Sequence, residues 1–250
     1  MNGLTISFCG EVSMESYIRL ADEDINVLFI IGSCIEPWTN CFTNGRNKAG
    51  CSVEMRLEQT KETISSIREY CSNADVMLVD NGANDYEEEI ISLVDQYYYI
   101  GSIKKYKKAS IHPNKGIGET FMMLYAMERI EKKYDLIFKI SGRYKLNENF
   151  CLKNWEVTAY NFLNYGIDGQ IIEHMEGKYV RGSHSTRLYA FPGEKIRDMR
   201  KLLVRGLLRE RLLHESIETA MPRGLKKENV RYLKTLGVEG LIGGETYIQE

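Results

Sequence analysis

The strongest constraint in this sequence is a set of short apolar runs, each of which stops at polar residues. Val27-Leu28-Phe29-Ile30-Ile31, within a segment beginning at Ile25, and Val76-Met77-Leu78-Val79 have no polar alternation. Leu136-Ile137-Phe138-Lys139-Ile140 is apolar but for one lysine. Strand side chains point alternately to the two faces of a sheet, so a run without alternation is covered on both sides. Amphipathic stretches lie between these runs. Glu54 to Tyr70 carries Leu57, Ile64 and Ile67 on one stripe, with Glu58, Lys61, Glu62 and Glu69 toward water. Tyr86 to Val94 opens with Glu87, Glu88 and Glu89, which suit the positive end of a helix dipole. A helix from Asn114 through Lys133 turns Phe121, Leu124, Tyr125 and Ile130 inward. Strands alternating with helices predict an α/β fold with a mainly parallel sheet covered on both faces.

Tyr97 to Ile103 reads as a further strand, and Lys104 to Lys108 as a basic loop. The C-terminal part predicts a mixed, antiparallel portion: strands over Trp155–Phe162, Gly169–His174 and Arg187–Phe191, helices over Glu194–Leu213 and from Ser216 to Ala220, and a terminal strand over Val238–Ile248. A polar, Gly/Asn-rich loop from Ser33 to Ser52 is long enough to suggest a functional role. No linker interrupts the chain, so residues 1–250 read as one domain.

A net charge of −2 over 250 residues gives no global pull toward nucleic acid, so an anion site must be local. The six cysteines form no C-x-x-C pair and have no histidine at zinc spacing, which predicts reduced, structural thiols and no metal ligands. No run reaches the roughly 18–20 apolar residues of a membrane span. Met1-Asn2-Gly3-Leu4-Thr5 lacks the cationic start of a secretory signal, so a cytoplasmic location is expected, with peripheral membrane contact left open.

Chemistry-bearing residues cluster where the runs end. In open α/β sheets ligands sit beyond the carboxyl ends of the strands. Strand alternation predicts that Lys139, Ser141 and Arg143 share one face, beside Gly142, which allows close backbone approach: an anion site in pattern. They also read as solvated strand-end charges. Asp80 and Asn81 follow the second run, where an Asp accepts from a ribose hydroxyl or a base N–H; Asp80-Asn81-Gly82 also reads as a turn. Asn114-Lys115-Gly116-Ile117-Gly118-Glu119 opens a helix with exposed N–H groups and a lysine but is not a P-loop. Arg56 sits early in its helix, where core packing does not need it. Glu215 and Glu218 lie three residues apart, within reach of one another on a helix, and either is a candidate general base. His184 and Arg187 precede a strand, and Tyr144 follows Arg143.

Taken in order, these segments resemble the GT-A type of glycosyltransferase, the nucleotide-diphospho-sugar transferase fold. Val79-Asp80-Asn81-Gly82-Ala83-Asn84-Asp85 is similar to the family's V-D-N-G-S-x-D stretch, with Ala for Ser, and Asn114-Lys115-Gly116 to its N-x-G loop. Arg56-Leu57-Glu58-Gln59-Thr60 and Lys139-Ile140-Ser141-Gly142-Arg143-Tyr144 resemble bacterial and viral transferases that build surface glycans. The resemblance implies a Rossmann-like fold, with a nucleotide-sugar half over about 25–150 and an acceptor half over about 151–250. It implies a UDP- or GDP-sugar donor, a glycan or lipid-linked acceptor, and no nucleic-acid partner.

By the same resemblance Arg56, Asp80, Asn81, Lys115, Gly116, Glu119, Lys139, Ser141 and Gly142 bind the donor, and Tyr144, His184 and Arg187 the acceptor. Arg143 and Glu215 or Glu218 are then catalytic. The family's D-x-D metal motif is replaced here by Ser141-Gly142-Arg143, so a metal-independent reaction without an obligatory cofactor is expected. A sugar nucleotidyltransferase and a non-catalytic nucleotide- or glycan-binding module remain as alternatives. The first fits poorly, because Gly32-Ser33-Cys34-Ile35-Glu36 is not the Gly-rich loop that class carries.

Overall fold

The structure, a computed structural model, describes residues 25–38, 51–166, 171, 179–242 and 246–250. The first half runs β1 (Val27–Ser33), α1 (Val53–Tyr70), β2 (Asp75–Asp80), α2 (Glu87–Ile90), β3 (Gln96–Tyr99), α3 (Lys104–Ser110), α4 (Lys115–Met127), β4 (Leu136–Ser141) and β5 (Tyr144–Leu146). The second half adds β6 (Tyr160–Phe162), β7 (Asn164–Gly166), β8 (Ser183–His184), β9 (Leu188–Pro192), α5 (Ile196–Leu212), α6 (Ile217–Ala220), β10 (Val230–Tyr232), β11 (Val238–Ile242) and β12 (Thr246–Gln249).

The central sheet has seven strands in the order β10-β6-β9-β4-β1-β2-β3. Its pairs are parallel except where β9 runs antiparallel between β4 and β6. The fold is thus α/β, with a mostly parallel sheet flanked by helices. Strands from both halves of the chain share that sheet. A small antiparallel sheet, β12-β11-β5, and the β7-β8 pair lie outside it.

The apolar runs are central for the reason that made them legible. Val27, Phe29 and Ile31 of β1 pack with Ile64 and Ile67 of α1 on one face. Leu28 and Ile30 pack with Met122 and Met123 of α4 and Leu202 and Leu203 of α5 on the other. Phe29 stacks on Phe138 across the β1–β4 pair, with centroids 4.4 Å apart. The strand order reverses at β1: β2 and β3 extend the sheet from one edge of it and β4 from the other, so the ends of β1 and β4 lie side by side. A crevice opens between those two strand ends, the place where doubly wound sheets hold ligands.

Several elements differ from expectation. The segment Lys104–Ser110 is a helix, not a loop: it packs Tyr106 and Ala109 inward and leaves its lysines outside. The expected third strand ends at Tyr99, opposite Asp80, where its partner β2 ends; the Ile100 N–H makes the last bond, to the Asp80 carbonyl. The helix expected over Tyr86–Val94 is one α-turn and a 3-10 turn, and the long one stops at Met127. The strand expected from Trp155 is only Tyr160–Phe162. The terminal segment is a hairpin, β11–β12. The strand expected over Gly169–His174 falls almost wholly outside the described residues. No described helix is long and apolar enough to cross a membrane.

Candidate functional site

The crevice holds a cavity of ≈ 240 Å³, walled by the ends of β1 and β4 and the first turns of α1 and α4. Local chemistry fixes each wall. Ser52 caps α1 by accepting from the Met55 N–H at 3.2 Å, which places Arg56 one turn in, facing the cavity. Asn114 caps α4 by accepting from the Gly116 N–H at 3.1 Å, so Lys115, Gly118 and Glu119 come to the cavity edge. The end of β4 reverses at Gly142-Arg143, where the Arg143 N–H bonds to the Ser141 carbonyl at 2.7 Å. α1 grips that turn: Thr60 Oγ1 lies 3.1 Å from the Gly142 carbonyl, and Thr63 Oγ1 donates to the Tyr144 carbonyl at 2.9 Å. A Cβ at Gly142 would sit 3.3–3.4 Å from side-chain atoms of Ile31, Thr60 and Ser33, so the turn is closely packed.

The electrostatics of the cavity are one-sided. Arg56, Lys115 and Arg143 all line it. Burial lowers the pKa of Arg56, and the positive charge of Arg143 lowers it further. Burial likewise lowers that of Lys115, followed by repulsion from Arg143 and Arg56. Like charges so placed are costly unless an anion joins them. Among the described residues neither Arg56 nor Arg143 makes an ion pair with a carboxylate. Arg56 donates Nη1 to the Cys34 carbonyl at 3.4 Å, while its buried Nε has no partner. Asn81, 4% exposed and lining the same cavity, has an unpartnered Oδ1. The cavity therefore offers converging donors and one acceptor. No protein-family model and no curated protein matches this sequence. Its chemistry has to be read from the site itself.

The structure brings Arg56, Asn81, Lys115, Glu119, Ser141, Gly142 and Arg143 to this one cavity. It puts three other expected donor residues behind the wall. Asp80 is fully buried: its carboxylate accepts from the Ile35 N–H at 3.0 Å and the Gly82 N–H at 2.7 Å, so it ties the end of β2 to the segment after β1. Burial raises its pKa, and those N–H bonds oppose the shift. Gly116 faces α5 and α6, where a Cβ would meet Glu210 and Ile217 within 2.8 Å.

Lys139 does not share a face of the cavity with Arg143, because β4 has ended before Arg143. Its side chain is 0% exposed and ion-paired to Glu119, with further bonds to Ser141 Oγ at 2.9 Å and the Thr186 carbonyl. That pair neutralises both partners, so Lys139 braces α4 against β4.

None of the acceptor and base candidates lines the cavity, although α6, with Glu218, packs against the start of α4 at Gly116. His184 is 0% exposed between Phe162 and Tyr232, with both ring nitrogens unpartnered, and burial pushes its pKa down to about 4. Arg187 pairs with Glu250 and with Tyr165 Oη at 2.8 Å. Tyr144 is buried in the core, and its strand β5 pairs with β11. Glu215 accepts two bonds from Arg209, at 2.8 and 2.6 Å, which hold its carboxyl below the usual range. Glu218 makes no ion pair among the described residues and sits close enough to Glu210 for its charge to raise that carboxyl.

Three contributors were missed. Thr60 lies one turn beyond Arg56 on the inward face of α1, a buried polar stripe that the spacing Arg56-Thr60-Thr63 already carried. Trp38 lines the cavity, donates Nε1 to the Asn81 carbonyl at 3.1 Å, and has Lys107 over its ring at 3.8 Å. Glu210 is 0% exposed, accepts from Thr120 Oγ1 at 3.0 Å, and leaves Oε2 unpartnered. Burial pushes its pKa up to about 7.

The donor set does not suit a hard divalent cation. Such an ion needs several carboxylate or carbonyl oxygens. Among the described residues the one carboxylate lining the cavity, Glu119, is paired to Lys139, and no group of three His, Cys, Asp or Glu side chains is arranged to hold a metal.

Proposed function

We propose that the protein is a glycosyltransferase that takes a nucleotide-diphosphate sugar as donor and a glycan or lipid-linked molecule as acceptor, in the synthesis of surface polysaccharide or glycoprotein glycan. The observation that carries this reading is the convergence of Arg56, Lys115 and Arg143 on one cavity at the β1–β4 switch point, where neither Arg56 nor Arg143 makes an ion pair with a described carboxylate. The cavity is smaller than the ~300–1,000 Å³ of a typical ligand pocket. It suits the diphosphate, with the rest of the donor extending out of it. Trp38 gives one wall an aromatic face for the base or the sugar.

In this mechanism the bond between the anomeric carbon and the diphosphate oxygen breaks as the acceptor hydroxyl attacks. Negative charge grows on the departing phosphate. Arg143 and Arg56 donate to those oxygens, and a preorganised cation in a partly buried site stabilises such charge far better than water does. Lys115 adds a third positive charge from α4. The acceptor hydroxyl loses its proton to a carboxylate. Glu215 is committed to Arg209, so Glu218 is assigned as the base of an inverting reaction.

The test combines binding with turnover. UDP, GDP and CMP compounds are screened by thermal shift, since a ligand that binds only the folded form raises the melting temperature. The nucleotide that stabilises is then supplied as a panel of its sugars. Transfer or hydrolysis that persists in EDTA and is lost in Arg143→Ala is expected. Full activity of Arg143→Ala, or no stabilisation by any nucleotide, overturns the reading. Stabilisation without turnover leaves a non-catalytic binding module.

A further inference from the structure

A second surface, on α3 and α5, has a chemistry the donor cavity does not use. Helix α5 buries Met199, Leu202, Leu203, Gly206 and Glu210 along one stripe. The opposite stripe should be polar, yet Val204, Leu208 and Leu212, spaced i, i+4, i+8, are 46%, 54% and 74% exposed. Four cations surround them on the same face: Arg197, Lys201, Arg205 and Arg211, all exposed. The only acid on that face, Asp198, is paired to Lys201 at 2.9 Å. At the end of α5, Arg211 meets Lys104, Lys105 and Lys108 of α3 across a shallow groove floored by Phe121. Ile103 and Ile111, at the two ends of α3, are 43% and 42% exposed.

We propose that this face docks the protein onto an anionic lipid bilayer. Three aliphatic side chains among fixed cations are the pattern of a helix lying in a membrane interface: the apolar groups enter the acyl boundary while the cations meet the headgroups. The chain as a whole is slightly acidic, so the concentration of cations here is local. A second copy of the chain is a poor occupant, because two such faces would bring like charges together. A nucleic acid would satisfy the cations and leave the leucines in water. Helices α3 and α5 both pack on α4, whose first turn lines the donor cavity. The docked face is thereby linked to the cavity wall by a single helix, which suits an acceptor held in the membrane.

The experiment is flotation of the full chain with phosphatidylcholine vesicles, with and without phosphatidylglycerol, across a salt series. Binding is expected only with phosphatidylglycerol and should weaken as salt rises. Removing a cation near such a surface weakens binding about fivefold, so Lys104→Gln/Lys105→Gln/Lys108→Gln loses on the order of a hundredfold. Leu208→Ser/Leu212→Ser should lose binding while leaving the nucleotide thermal shift of the wild type unchanged. All five residues are exposed, so both variants should fold, and the melting temperature checks this. No binding to phosphatidylglycerol vesicles overturns the proposal. So does binding that both variants retain, salt-sensitive binding to duplex RNA in place of vesicles, or a dimer in solution that the leucine variant dissolves. None of these outcomes depends on glycosyl transfer, so the docking face can fail while the donor site stands, and the reverse.

Discussion

The carboxyl edge of β1 and β4 and the region around β8, β9 and α6 are equally rich in polar side chains, but they handle charge in opposite ways. In the second region the charges the sequence put forward are settled internally, apart from Glu218, which makes no ion pair among the described residues. Arg187 pairs with Glu250, Glu215 with Arg209, and His184 is buried where its proton is disfavoured. At the strand edge Arg56 and Arg143 face a cavity whose described carboxylate, Glu119, is already paired to Lys139, and Lys115 adds to the repulsion. A settled charge braces the fold; an unsettled one beside a cavity is held for a ligand. The comparison also divides one strand: Lys139 and Arg143 are four residues apart, and only Arg143 belongs to the site.

The sharpest way to break this division is at Lys139. Removing one partner of a buried ion pair leaves the other charge uncompensated, a loss of about 3–5 kcal/mol. Lys139→Met should therefore lower stability in chemical denaturation by that much, and Lys139→Met/Glu119→Gln should recover a large part of it. A nucleotide thermal shift that disappears in the double variant would move Lys139 or Glu119 into the binding machinery.

Arg143→Ala should do the reverse. The melting temperature without nucleotide should hold or rise, because the variant relieves repulsion with Arg56 and Lys115. Turnover should drop by about 10²–10³, the typical cost of deleting one group that stabilises transition-state charge. A variant that is destabilised but, when folded, turns over normally would make this cation structural and not catalytic.

These two residues show how much of the molecule was legible in the sequence. The mainly parallel sheet followed from runs apolar on both faces, because burial of a whole strand leaves no other pattern; the order of its strands did not. The cavity was legible only as a set of strand ends and helix starts. What failed was the extension of strand alternation past Ser141: nothing in the spacing shows that Gly142-Arg143 reverses the chain, or that Glu119 reaches across from α4 to take Lys139. Asp80 was legible in part: its bond from the Gly82 N–H is the Asp80-Asn81-Gly82 turn the sequence suggested, but nothing in the spacing shows the Ile35 N–H that also holds it. Glu210 was the opposite case. It falls on the buried stripe of α5, so helical periodicity already placed it inside.

That burial gives a pH test of intermediate size. The Glu210 carboxyl is raised to about 7 from an ordinary 4.5, so the folded protein holds a proton that the unfolded chain has lost. Its contribution to stability is fully present below 4.5 and declines as pH rises through about 7, by up to ~3 kcal/mol. His184 has the opposite sign: lowered to about 4 from 6.5, it contributes stability above 6.5 that is lost as pH falls toward 4. The two slopes overlap and offset each other in the wild type. Glu210→Gln should therefore remove the fall toward neutral pH and expose a steeper acid loss, and His184→Leu should do the converse. Identical pH profiles of melting temperature for the wild type and Glu210→Gln would mean that the carboxyl is not held in a proton-retaining site.

The smallest effect is expected at Glu215, and it decides between two neighbours. Its bonds to Arg209 and Arg223 lie near the surface, where water screens ion pairs and their loss changes stability little. Glu215→Gln should shift the melting temperature only slightly and leave turnover near the wild-type value. Glu218→Gln, three residues on, should leave stability unchanged and reduce turnover by about 10²–10⁴, the usual contribution of a general base. If Glu215→Gln is the slower enzyme, the bidentate pair must open when the acceptor binds, and a settled charge would be part of the chemistry after all.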